Sequence, residues 1–529
     1  MTTVAIDFGT SNTVVSIIEA DTKAPKTLRF PGICRLLKMK NKEGKTWEIP
    51  VVPTLLFVQE SNQLVLGEKV RMQRLGVSQP YRLFKSFKRD LVADFQTPGR
   101  KIDGLNYDSA LVAEKFIKEI WQQILQQNIK PDQVIFTIPV GAFERYLDWF
   151  RDLGNSLQVS KIQLVDESTA AALSYAVKSP GSLVLVVDFG GGTLDLSLVR
   201  TVKLSPTYSP QRNETIVQAK VLAKSDAYVG GEDIDIWIVE DYLRRISASP
   251  EEVGEVGWQN LLEIAEKLKI RLSQEKEAKE SWWNEEDFKS HELHLSREQL
   301  EEILENQQLL EQLRRTLDEV VAIALSKGIS KTEIEKVVLV GGSCLIPAVQ
   351  QLINSYFGRN KVSLDKPFEA VSHGALALTQ VKQLDDYLRH SYAIRLWEPY
   401  NQNYTYYPLF EQGTKYPCSL TLKLKVAIEG QREIRLDIGE LAQKAAAEVI
   451  FDNWGRMMSS KLAQQLEYRS LESNHQEVCV AYLDPPGKPG NDRVSVQFEV
   501  DKNRVLLATV RDLETEKLLI KRKAIAKLS

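Results

Sequence analysis

Two short segments of the sequence share an unusual pattern that suits phosphate chemistry. Each places an aspartate, a phenylalanine and one or more glycines after apolar residues: IDFGTSN at residues 6–12 and VVDFGGGT at residues 186–193. Apolar and polar residues alternate directly after both segments, so each predicts a strand, a tight glycine turn and a second strand. Because the same turn occurs twice, we predict a duplicated domain whose two halves face each other.

The side chains at these turns predict a site for a polyphosphate and a metal ion. Glycine lets backbone N–H groups approach phosphate oxygens closely, and Thr10, Ser11 and Thr193 add hydroxyl donors. If the halves pack symmetrically, Asp7 and Asp188 lie near the same point, where their carboxylates suit Mg²⁺ bound through retained water. For either motif alone, an aspartate that merely caps a turn is the alternative interpretation.

A further aspartate and two glycine pairs extend this prediction. Asp195 lies two residues after Thr193 and could orient water for in-line attack, so the motifs together indicate phosphoryl transfer. Gly230-Gly231 and Gly341-Gly342-Ser343 are additional candidates, and the second set follows a predicted strand at Val337–Val340. A single glycine pair is more often only a turn. Neither set has P-loop or Rossmann spacing.

The composition is that of a globular protein with several domains. The 529 residues are 43% hydrophobic and 26% charged, which excludes disorder and low complexity for most of the chain. A net charge of −3 gives no reason to expect nucleic acid or an anionic membrane as a partner. The four cysteines are scattered and form no CxxC pair, so we expect reduced thiols and a cytoplasmic location. We find no membrane-spanning run and no signal peptide.

Up to about residue 380, strands alternate with helices as in an α/β protein. Ser168–Lys178 is predicted to be a helix whose alanines allow close packing. Residues from roughly Glu251 to Lys327 are predicted to be helical, with a capping box at Ser296–Gln299. His291 and His294 would lie three residues apart on this helix, and exposed polar histidines are favoured there over a metal site.

Beyond about residue 380, the pattern changes to the period of two that is typical of antiparallel strands. Alternation at Leu420–Ile428, Glu433–Ile438, Val494–Val500 and Val505–Val510 predicts a sheet or sandwich. The stretch from about Leu441 to Tyr468 is rich in alanine, glutamine and glutamate and is predicted to be a helical insertion.

In their order along the chain, the motifs resemble those of the DnaK-type heat-shock chaperones. This seventy-kilodalton class belongs to the actin, hexokinase and heat-shock ATPase superfamily. The similarity covers Thr3 to about Gln380 and rests on IDFGTSNT, DESTAAALSYA, VVDFGGGTLDLSLV, VGGEDID, AEKLKIRLS and LVGGSCLIPAVQ. It implies a two-lobed, actin-like α/β ATPase domain with duplicated halves, followed by a mostly antiparallel β-sandwich domain.

The resemblance and the element pattern together predict the domain boundaries. The nucleotide-binding domain would span 1–380, with lobe I at about 1–183 and lobe II at about 184–380. A linker would follow at 381–395. A peptide-binding-like β-sandwich would span 396–529, with the insertion at about 440–485. Because the sequence ends soon after residue 521, we expect a divergent member without the family's helical lid.

The resemblance also implies the roles of individual residues. Mg²⁺ would be held through water by Asp7 and Asp188. ATP hydrolysis would depend on Lys85 at the γ-phosphate, Glu167, Thr193 and Asp195. The phosphates of ATP or ADP would contact Gly9, Thr10, Ser11, Asn12, Gly190, Gly191, Gly192, Thr193, Gly230 and Gly231. The ribose and the adenine would contact Glu266, Lys269, Ile270, Ser273, Gly341, Gly342, Ser343 and Leu345.

Several positions depart from the family's pattern. Leu345 replaces an arginine that lies over adenine, so the base would be held between aliphatic surfaces. Phe368 replaces an aspartate near the base. Leu147 replaces an arginine that, with the proline matching Pro139, relays signals between domains, and Asp385–His390 replaces a leucine-rich linker. The hydrolytic groups therefore remain, whereas the interdomain coupling is altered.

These features predict an ATP-dependent, DnaK-like chaperone that binds unfolded or extended polypeptide. J-domain-type or nucleotide-exchange co-chaperones would be its partners. The alternative is a regulatory or scaffold ATPase whose β-domain docks one dedicated protein, which the altered linker and Leu147 favour. A sugar or glycerol kinase of the same fold is disfavoured, because nothing outside the nucleotide motifs indicates a substrate pocket.

Overall fold

A computed structural model describes residues 2–19, 22, 24–40, 46–92, 98–139, 144–176, 182–204, 216–284, 289–377, 388, 391–398, 403–411, 414, 416–451, 457–471, 478–501 and 504–528. The chain forms two units, Met1–Lys382 and Gln383–Ser529. The first is mixed α/β, and the second consists of antiparallel strands over its described residues. Within the described residues, no helix is both long and apolar enough to span a bilayer.

The first half of unit 1 contains one large sheet and two small ones. The strands of the large sheet are β1 (Thr3–Phe8), β2 (Asn12–Ile18), β3 (Pro25–Thr27), β4 (Arg35–Lys40), β5 (Thr46–Pro53), β11 (Gln133–Ile138) and β12 (Lys161–Asp166). The small sheets are formed by β6 (Leu56–Val58), β7 (Leu64–Leu66) and β8 (Leu83–Phe84), and by β9 (Arg100–Ile102) and β10 (Leu105–Tyr107). The helices of this half are α1 (Glu68–Met72), α2 (Leu75–Ser78), α3 (Phe87–Val92), α4 (Ser109–Gln126), α5 (Glu144–Ser156) and α6 (Glu167–Ala176).

The centre of the large sheet is apolar because it is covered on both faces. The strand order is β12-β11-β1-β2-β5-β4, with β1 parallel to β11 and antiparallel to β2. Every residue of β11 is buried, as are most residues of β1, which is the pattern of a parallel sheet packed between layers. Since β1 and β12 are both parallel to β11, the carboxyl ends of all three strands lie at one edge.

The second half of unit 1 has a sheet of its own. The strands of this sheet are β13 (Leu183–Phe189), β14 (Leu194–Leu204), β15 (Ile216–Ala227), β18 (Lys336–Val340) and β19 (Val362–Ser363), and a separate pair is formed by β16 (Glu277–Asn284) and β17 (Lys289–Ser296). The helices of this half are α7 (Gly231–Arg245), α8 (Pro250–Leu272), α9 (Arg297–Asn306), α10 (Leu309–Ser326), α11 (Pro347–Phe357) and α12 (Ala370–Ala377). The order β15-β14-β13-β18-β19 again places a central strand between an antiparallel and a parallel neighbour.

The prediction of a continuous helical region from Glu251 to Lys327 is wrong in its middle. Strands β16 and β17 form a hairpin there, and α8 ends before it. Ala278, Trp282, Leu293 and Leu295 are buried, so the apolar residues follow a period of two that the many charged residues obscured. The two histidines of this region therefore lie on strand β17, not on a helix. The capping box at Ser296–Gln299 is confirmed at the start of α9.

The helix predicted at Ser168–Lys178 is present as α6, which begins at Glu167 and ends at Ala176. Residues 177–181 lie outside the described residues. The predicted strand at Val337–Val340 is confirmed within β18.

Unit 2 contains two antiparallel sheets. Its strands are β20 (Ser391–Glu398), β21 (Asn403–Phe410), β22 (Cys418–Lys425), β23 (Gln431–Phe451), β24 (Met457–Ser470), β25 (Val478–Gly487), β26 (Asp492–Val500), β27 (Val505–Asp512) and β28 (Leu518–Lys527). One sheet has the order β21-β20-β23-β24, with β25 also paired to β23, and the other has the order β22-β26-β27-β28. Buried residues of both sheets, including Ile394, Leu436, Phe498 and Val510, belong to one apolar core.

Two sequence predictions for this unit do not match the structure. The helical insertion predicted at about Leu441–Tyr468 is instead the β23–β24 hairpin, in which Leu441 and Tyr468 are direct partners. The composition favours a helix, but intrinsic preference is weak and is overridden here by the pairing of the two segments, which continues β23 beyond its core-facing part. Strand β20 begins at Ser391, inside the predicted linker 381–395, and residues 381–387 lie outside the described part of the chain.

Candidate functional site

Four acidic side chains from both halves of unit 1 meet near the ends of β1 and β13. Asp7 lies in β1, Glu167 begins α6, and Asp188 and Asp195 are direct partners across the β13–β14 hairpin. Burial and the charge of Glu167 raise the pKa of Asp7 to about 7. Burial and neighbouring carboxylates also raise the pKa of Asp188. Buried negative charge concentrated in this way favours a bound cation.

A buried lysine that the sequence analysis passed over lies within this acidic cluster. Lys88 Nζ is 2.7 Å from Glu167 Oε1, and the two side chains are only 8% and 13% exposed. Burial is the largest single effect and alone would lower the pKa of Lys88, but Glu167, Tyr146 and Asp7 together outweigh it and the pKa is raised. Lys88 therefore remains a cation at neutral pH.

Lys85, the lysine predicted at the γ-phosphate, lies elsewhere. It is exposed on the wall of the cleft, and its Nζ donates a hydrogen bond to Gln259 Oε1 at 3.2 Å. The sequence did carry a signal for the other lysine, because Lys88 and the buried Leu91 are three residues apart on α3 and so share one helix face.

Hydrogen bonds fix the orientation of two of the acidic groups. Thr137 Oγ1 donates to Asp7 Oδ1 at 2.8 Å. Thr193 donates to the Asp195 side chain, although burial and the charge of Asp226 still raise the pKa of Asp195 to about 6. At neutral pH, Asp195 is therefore a carboxylate with a slightly raised affinity for a proton, as a group that orients or deprotonates water requires.

The two glycine turns and the start of α7 come close enough to exclude any side chain between them. A Cβ on Gly191 would lie 1.8 Å from Ser11 Oγ, and a Cβ on Gly230 would lie 2.2 Å from the Gly191 carbonyl oxygen. Ser11 Oγ also donates to Glu232 Oε1 at 2.9 Å, which links the first turn to α7. The turns thus form a narrow backbone cradle of the kind that binds phosphate.

The residues predicted to hold the ribose lie together on α8 but already have partners. Glu266 accepts from Arg35 at 3.3 Å and pairs with Arg71 at 2.8 Å, which joins the two halves of unit 1 across the cleft. Burial would raise the pKa of Glu266, but these arginines lower it to about 2. Lys269 Nζ lies 2.7 Å from Asp235 Oδ1.

The two serines predicted beside the base are also bonded within the protein. Ser273 Oγ donates to the Lys269 carbonyl oxygen at 3.1 Å, and Ser343 Oγ donates to the Gly190 carbonyl oxygen at 2.8 Å. Each hydroxyl keeps lone pairs that a bound base could use.

A hairpin that the sequence analysis did not identify lies beside the residues predicted to hold the base. Strands β4 and β5 pair residue by residue from Arg35–Val51 to Lys40–Thr46. Side chains on one face of the hairpin belong to the same apolar cluster as Leu345 and Phe368 of the second half; they include Leu37, Met39 and Trp47. Leu345 and Phe368, two of the positions that depart from the family's pattern, therefore share an apolar cluster with the β4–β5 hairpin.

The two glycine turns and the residues predicted to hold the ribose and the base surround one cleft of about 2230 Å³ between the halves of unit 1, whereas the side chains of Asp7, Lys88, Glu167, Asp188 and Asp195 are not part of its lining. Its lining includes the predicted residues Thr10, Ser11, Asn12, Gly190, Gly191, Gly231, Glu266, Lys269, Ile270, Ser273, Gly342, Ser343 and Leu345. Gly9, Gly192, Gly230 and Gly341 lie in the same turns without lining it. Within the described part of the chain, no three His, Cys, Asp or Glu side chains are arranged to ligate a metal directly; the predicted binding through water does not require such an arrangement.

Comparison with protein families gives one relationship. The model of the family described as Hsp70 protein matches residues 65–388, which is more than half of the chain. The matched range includes Lys88, Glu167 and Asp188, whereas the first glycine turn and most of unit 2 lie outside it.

Proposed function

The chain belongs to the Hsp70 family, and from this premise we propose that it is a DnaK-like molecular chaperone that hydrolyses ATP to control its binding of unfolded or extended polypeptide. Proteins of this family are ATPases with an actin-like nucleotide-binding fold, and the family supports an ATP-dependent, chaperone-like function. The proposal for this chain rests on its own residues in the cleft.

The residues present fit a magnesium nucleotide. The carboxylates of Asp7, Asp188 and Glu167 concentrate negative charge in a buried part of the protein. Burial, and then repulsion from the neighbouring carboxylates, raises the pKa of the two aspartates. Asp7 and Asp188 would hold Mg²⁺ through water, and when bound this ion supplies positive charge that neutralises the phosphates. The glycine turns that would bind the phosphates line the cleft at Gly190 and Gly191, and a side chain at Gly191 would clash with Ser11.

We propose that Lys88, not Lys85, is the lysine that contacts the γ-phosphate. Lys88 is buried with Glu167 beside the acidic cluster, whereas Lys85 is bonded to Gln259 of α8 on the wall of the cleft. A buried cation placed in advance stabilises the charge of the transferred group without reorganisation.

The remaining hydrolytic roles follow from hydrogen bonds and pKa values. Asp195, held by Thr193, would orient the attacking water and accept its proton. Glu167 would position Lys88 and the same water. None of these groups has to move far, because the elements that carry them are already packed around the cleft.

The finer features of the fold belong to the same proposal. The shared strand order around β1 and β13 supports a duplication of the two halves as lobes that close on nucleotide. The two antiparallel sheets of unit 2, with their common core, support a peptide-binding β-sandwich. The J-domain-type or nucleotide-exchange partners and the cytoplasmic location remain predictions.

The observation that carries this function is the convergence of Asp7, Lys88, Glu167, Asp188 and Asp195. The test compares ATP binding with phosphate release in wild type, Asp195→Asn and Thr193→Ala. We expect both variants to keep their ATP affinity while hydrolysis slows by about a hundredfold or more. Unchanged turnover in both variants would refute the assignment of the hydrolytic site.

The alternative of a regulatory or scaffold ATPase has one observation in its favour. Leu147 replaces the arginine that relays signals between domains in the resembling family. Such a protein would still hydrolyse ATP, but its unit 2 would capture one folded partner and not bind extended peptides. Peptide binding that does not respond to ATP would favour this alternative.

A further inference from the structure

The hydroxyl group of Tyr146 is buried without a hydrogen bond. The residue lies on α5 and is 4% exposed. Among the residues that the structure describes, no atom serves as a partner for its Oη. A buried hydroxyl without a partner is costly and uncommon in native proteins, so its presence calls for a ligand or a function.

Aromatic neighbours hold the ring of Tyr146 in place. The ring stacks on Trp149, with centroids 6.3 Å apart and an interplanar angle of 14°, and meets Phe150 edge to face at 5.0 Å and 89°. Both neighbours also contact Phe8, the residue after Asp7 in β1. The hydroxyl therefore has a position fixed by packing and cannot swing freely towards another partner.

The charged groups that influence the pKa of this hydroxyl belong to the hydrolytic site. The charges of Lys88, Glu167 and Asp7 all act on it. Lys88 and Glu167 are paired with each other at 2.7 Å, and Asp7 accepts a hydrogen bond from Thr137. The hydroxyl thus lies beside a network whose members already have partners.

We propose that Tyr146 Oη donates a hydrogen bond to the terminal phosphate of bound ATP. This inference rests on the proposed function, because it assigns a further contact at the same site. The acidic cluster and Lys88 mark where that phosphate lies, and the unpartnered hydroxyl is the donor beside it. ADP lacks the terminal phosphate, so Tyr146 makes the site favour ATP over ADP.

The chemistry of the side chain agrees with a donor role. Burial raises the pKa of Tyr146, and the opposing effect of Lys88 does not reverse this shift. The phenol therefore keeps its proton at neutral pH. A neutral hydroxyl can give a charge-assisted hydrogen bond to a phosphate oxygen without adding charge to the cluster.

Replacement of Tyr146 by phenylalanine tests the proposal because it removes only the hydroxyl. The matched control is Tyr107→Phe, since Tyr107 is also buried but its hydroxyl donates to Asn62 Oδ1 at 3.0 Å, away from the acidic cluster. Affinity is measured for ADP and for a nonhydrolysable ATP analogue, both with Mg²⁺. We expect Tyr146→Phe to weaken analogue binding by about ten- to a hundredfold and to leave ADP binding unchanged.

The thermal stability of the nucleotide-free protein supplies a second, independent readout. Tyr146→Phe removes an unsatisfied buried hydroxyl, so its Tm should equal or exceed that of wild type. Tyr107→Phe removes the hydrogen bond to Asn62, so its Tm should fall while its preference for the analogue over ADP stays that of wild type. This contrast separates a ligand contact from a structural role.

Three results would overturn the inference. They are an unchanged affinity for the analogue in Tyr146→Phe, an equal loss for the analogue and for ADP, or a fall in Tm that matches the control. Wild-type protein that binds neither nucleotide would instead refute the proposed function itself. The two failures are therefore distinguishable in one set of measurements.

Discussion

Lys88 Nζ lies 2.7 Å from Glu167 Oε1, and this buried ion pair joins α3 to the start of α6. A buried ion pair adds little net stability, because desolvation of both charges offsets their attraction. Removal of one partner is expensive, however, since the other charge is left buried. The position of the pair beside Asp7 and Asp188 therefore points to function more than to stability.

Replacement of Lys88 by methionine is expected to slow ATP hydrolysis by about a hundredfold or more, because the positive charge next to the transferred phosphate is lost. Lys85→Met is the matched comparison and should retain most of the activity, since its amine binds Gln259 on the wall of the cleft. Phosphate release under single-turnover conditions measures both. Greater loss in Lys85→Met than in Lys88→Met would show that the assignment is reversed.

Stability measurements separate the charge effect from misfolding. Lys88→Met should lower the free energy of unfolding by about 3–5 kcal/mol, because Glu167 becomes an unpaired buried charge. The double variant Lys88→Met/Glu167→Gln removes both charges and should regain much of that loss without recovering hydrolysis. Recovery of hydrolysis in the double variant would contradict the role of Lys88.

The raised pKa of Asp7 predicts how stability depends on pH in the nucleotide-free protein. The pKa is 3.8 for an ordinary aspartate and about 7 here, mainly because of burial. The folded state therefore binds the proton more tightly than the unfolded state, and this stabilisation is lost as the pH rises from about 4 to about 7. The slope from one such group is at most about 1.4 kcal/mol per pH unit.

Asp7→Asn removes this titration, so its unfolding free energy should fall less steeply than that of wild type over the same pH range. Urea unfolding at several pH values measures the difference. Parallel curves for the two proteins would mean that Asp7 is not perturbed by burial.

The pairing of Arg71 with Glu266 predicts slow nucleotide release. Arg71 lies on α1 and Glu266 on α8, so their 2.8 Å contact must separate when the halves open. Arg71→Gln should accelerate the release of a fluorescent ADP by about three- to tenfold, the effect of losing one partly buried ion pair. Arg271→Gln is the control, because its pairs with Glu275 and Glu280 are on the surface. Equal rates in wild type and Arg71→Gln would exclude this contact as a restraint.

The β4–β5 hairpin predicts that Trp47 contributes to binding of the base. Trp47 shares an apolar cluster with Leu345 and Phe368, where the aliphatic base site is expected. Trp47→Ala should weaken ATP and ADP alike by about tenfold, because both contain the base. The control is Trp283→Ala, since Trp283 is 53% exposed on a different hairpin. A loss confined to ATP would contradict contact with the base.

The features that the sequence predicts best depend on local chemistry. The glycine turns, the aspartates that precede them and the capping box at Ser296 are each encoded within a few residues. The structure brings Asp7 and Asp188 together at one place, as the symmetry of the two motifs led us to expect.

The features that were missed depend on packing between distant segments. The spacing of Lys88 and the buried Leu91 on α3 indicates which lysine faces inward, but the pairing of Lys88 with Glu167 depends on how α3 packs near α6, which the local sequence does not specify. In the β16–β17 hairpin many charged residues obscure the alternation of buried apolar residues, and in the β23–β24 hairpin the composition favours a helix although the two segments pair as strands. The apolar cluster that contains Leu345 and Phe368 likewise includes side chains of the β4–β5 hairpin, which is far away in the sequence.

The most direct test of the proposed chaperone function is the dissociation of a labelled unfolded peptide from the nucleotide-free, full-length protein. The rate is measured with and without Mg-ATP, in wild type and in Asp7→Ala, which removes a predicted metal ligand. We predict that Mg-ATP accelerates peptide release from wild type and has no effect on Asp7→Ala. Absence of peptide binding, or release from wild type that is indifferent to ATP, would contradict the account.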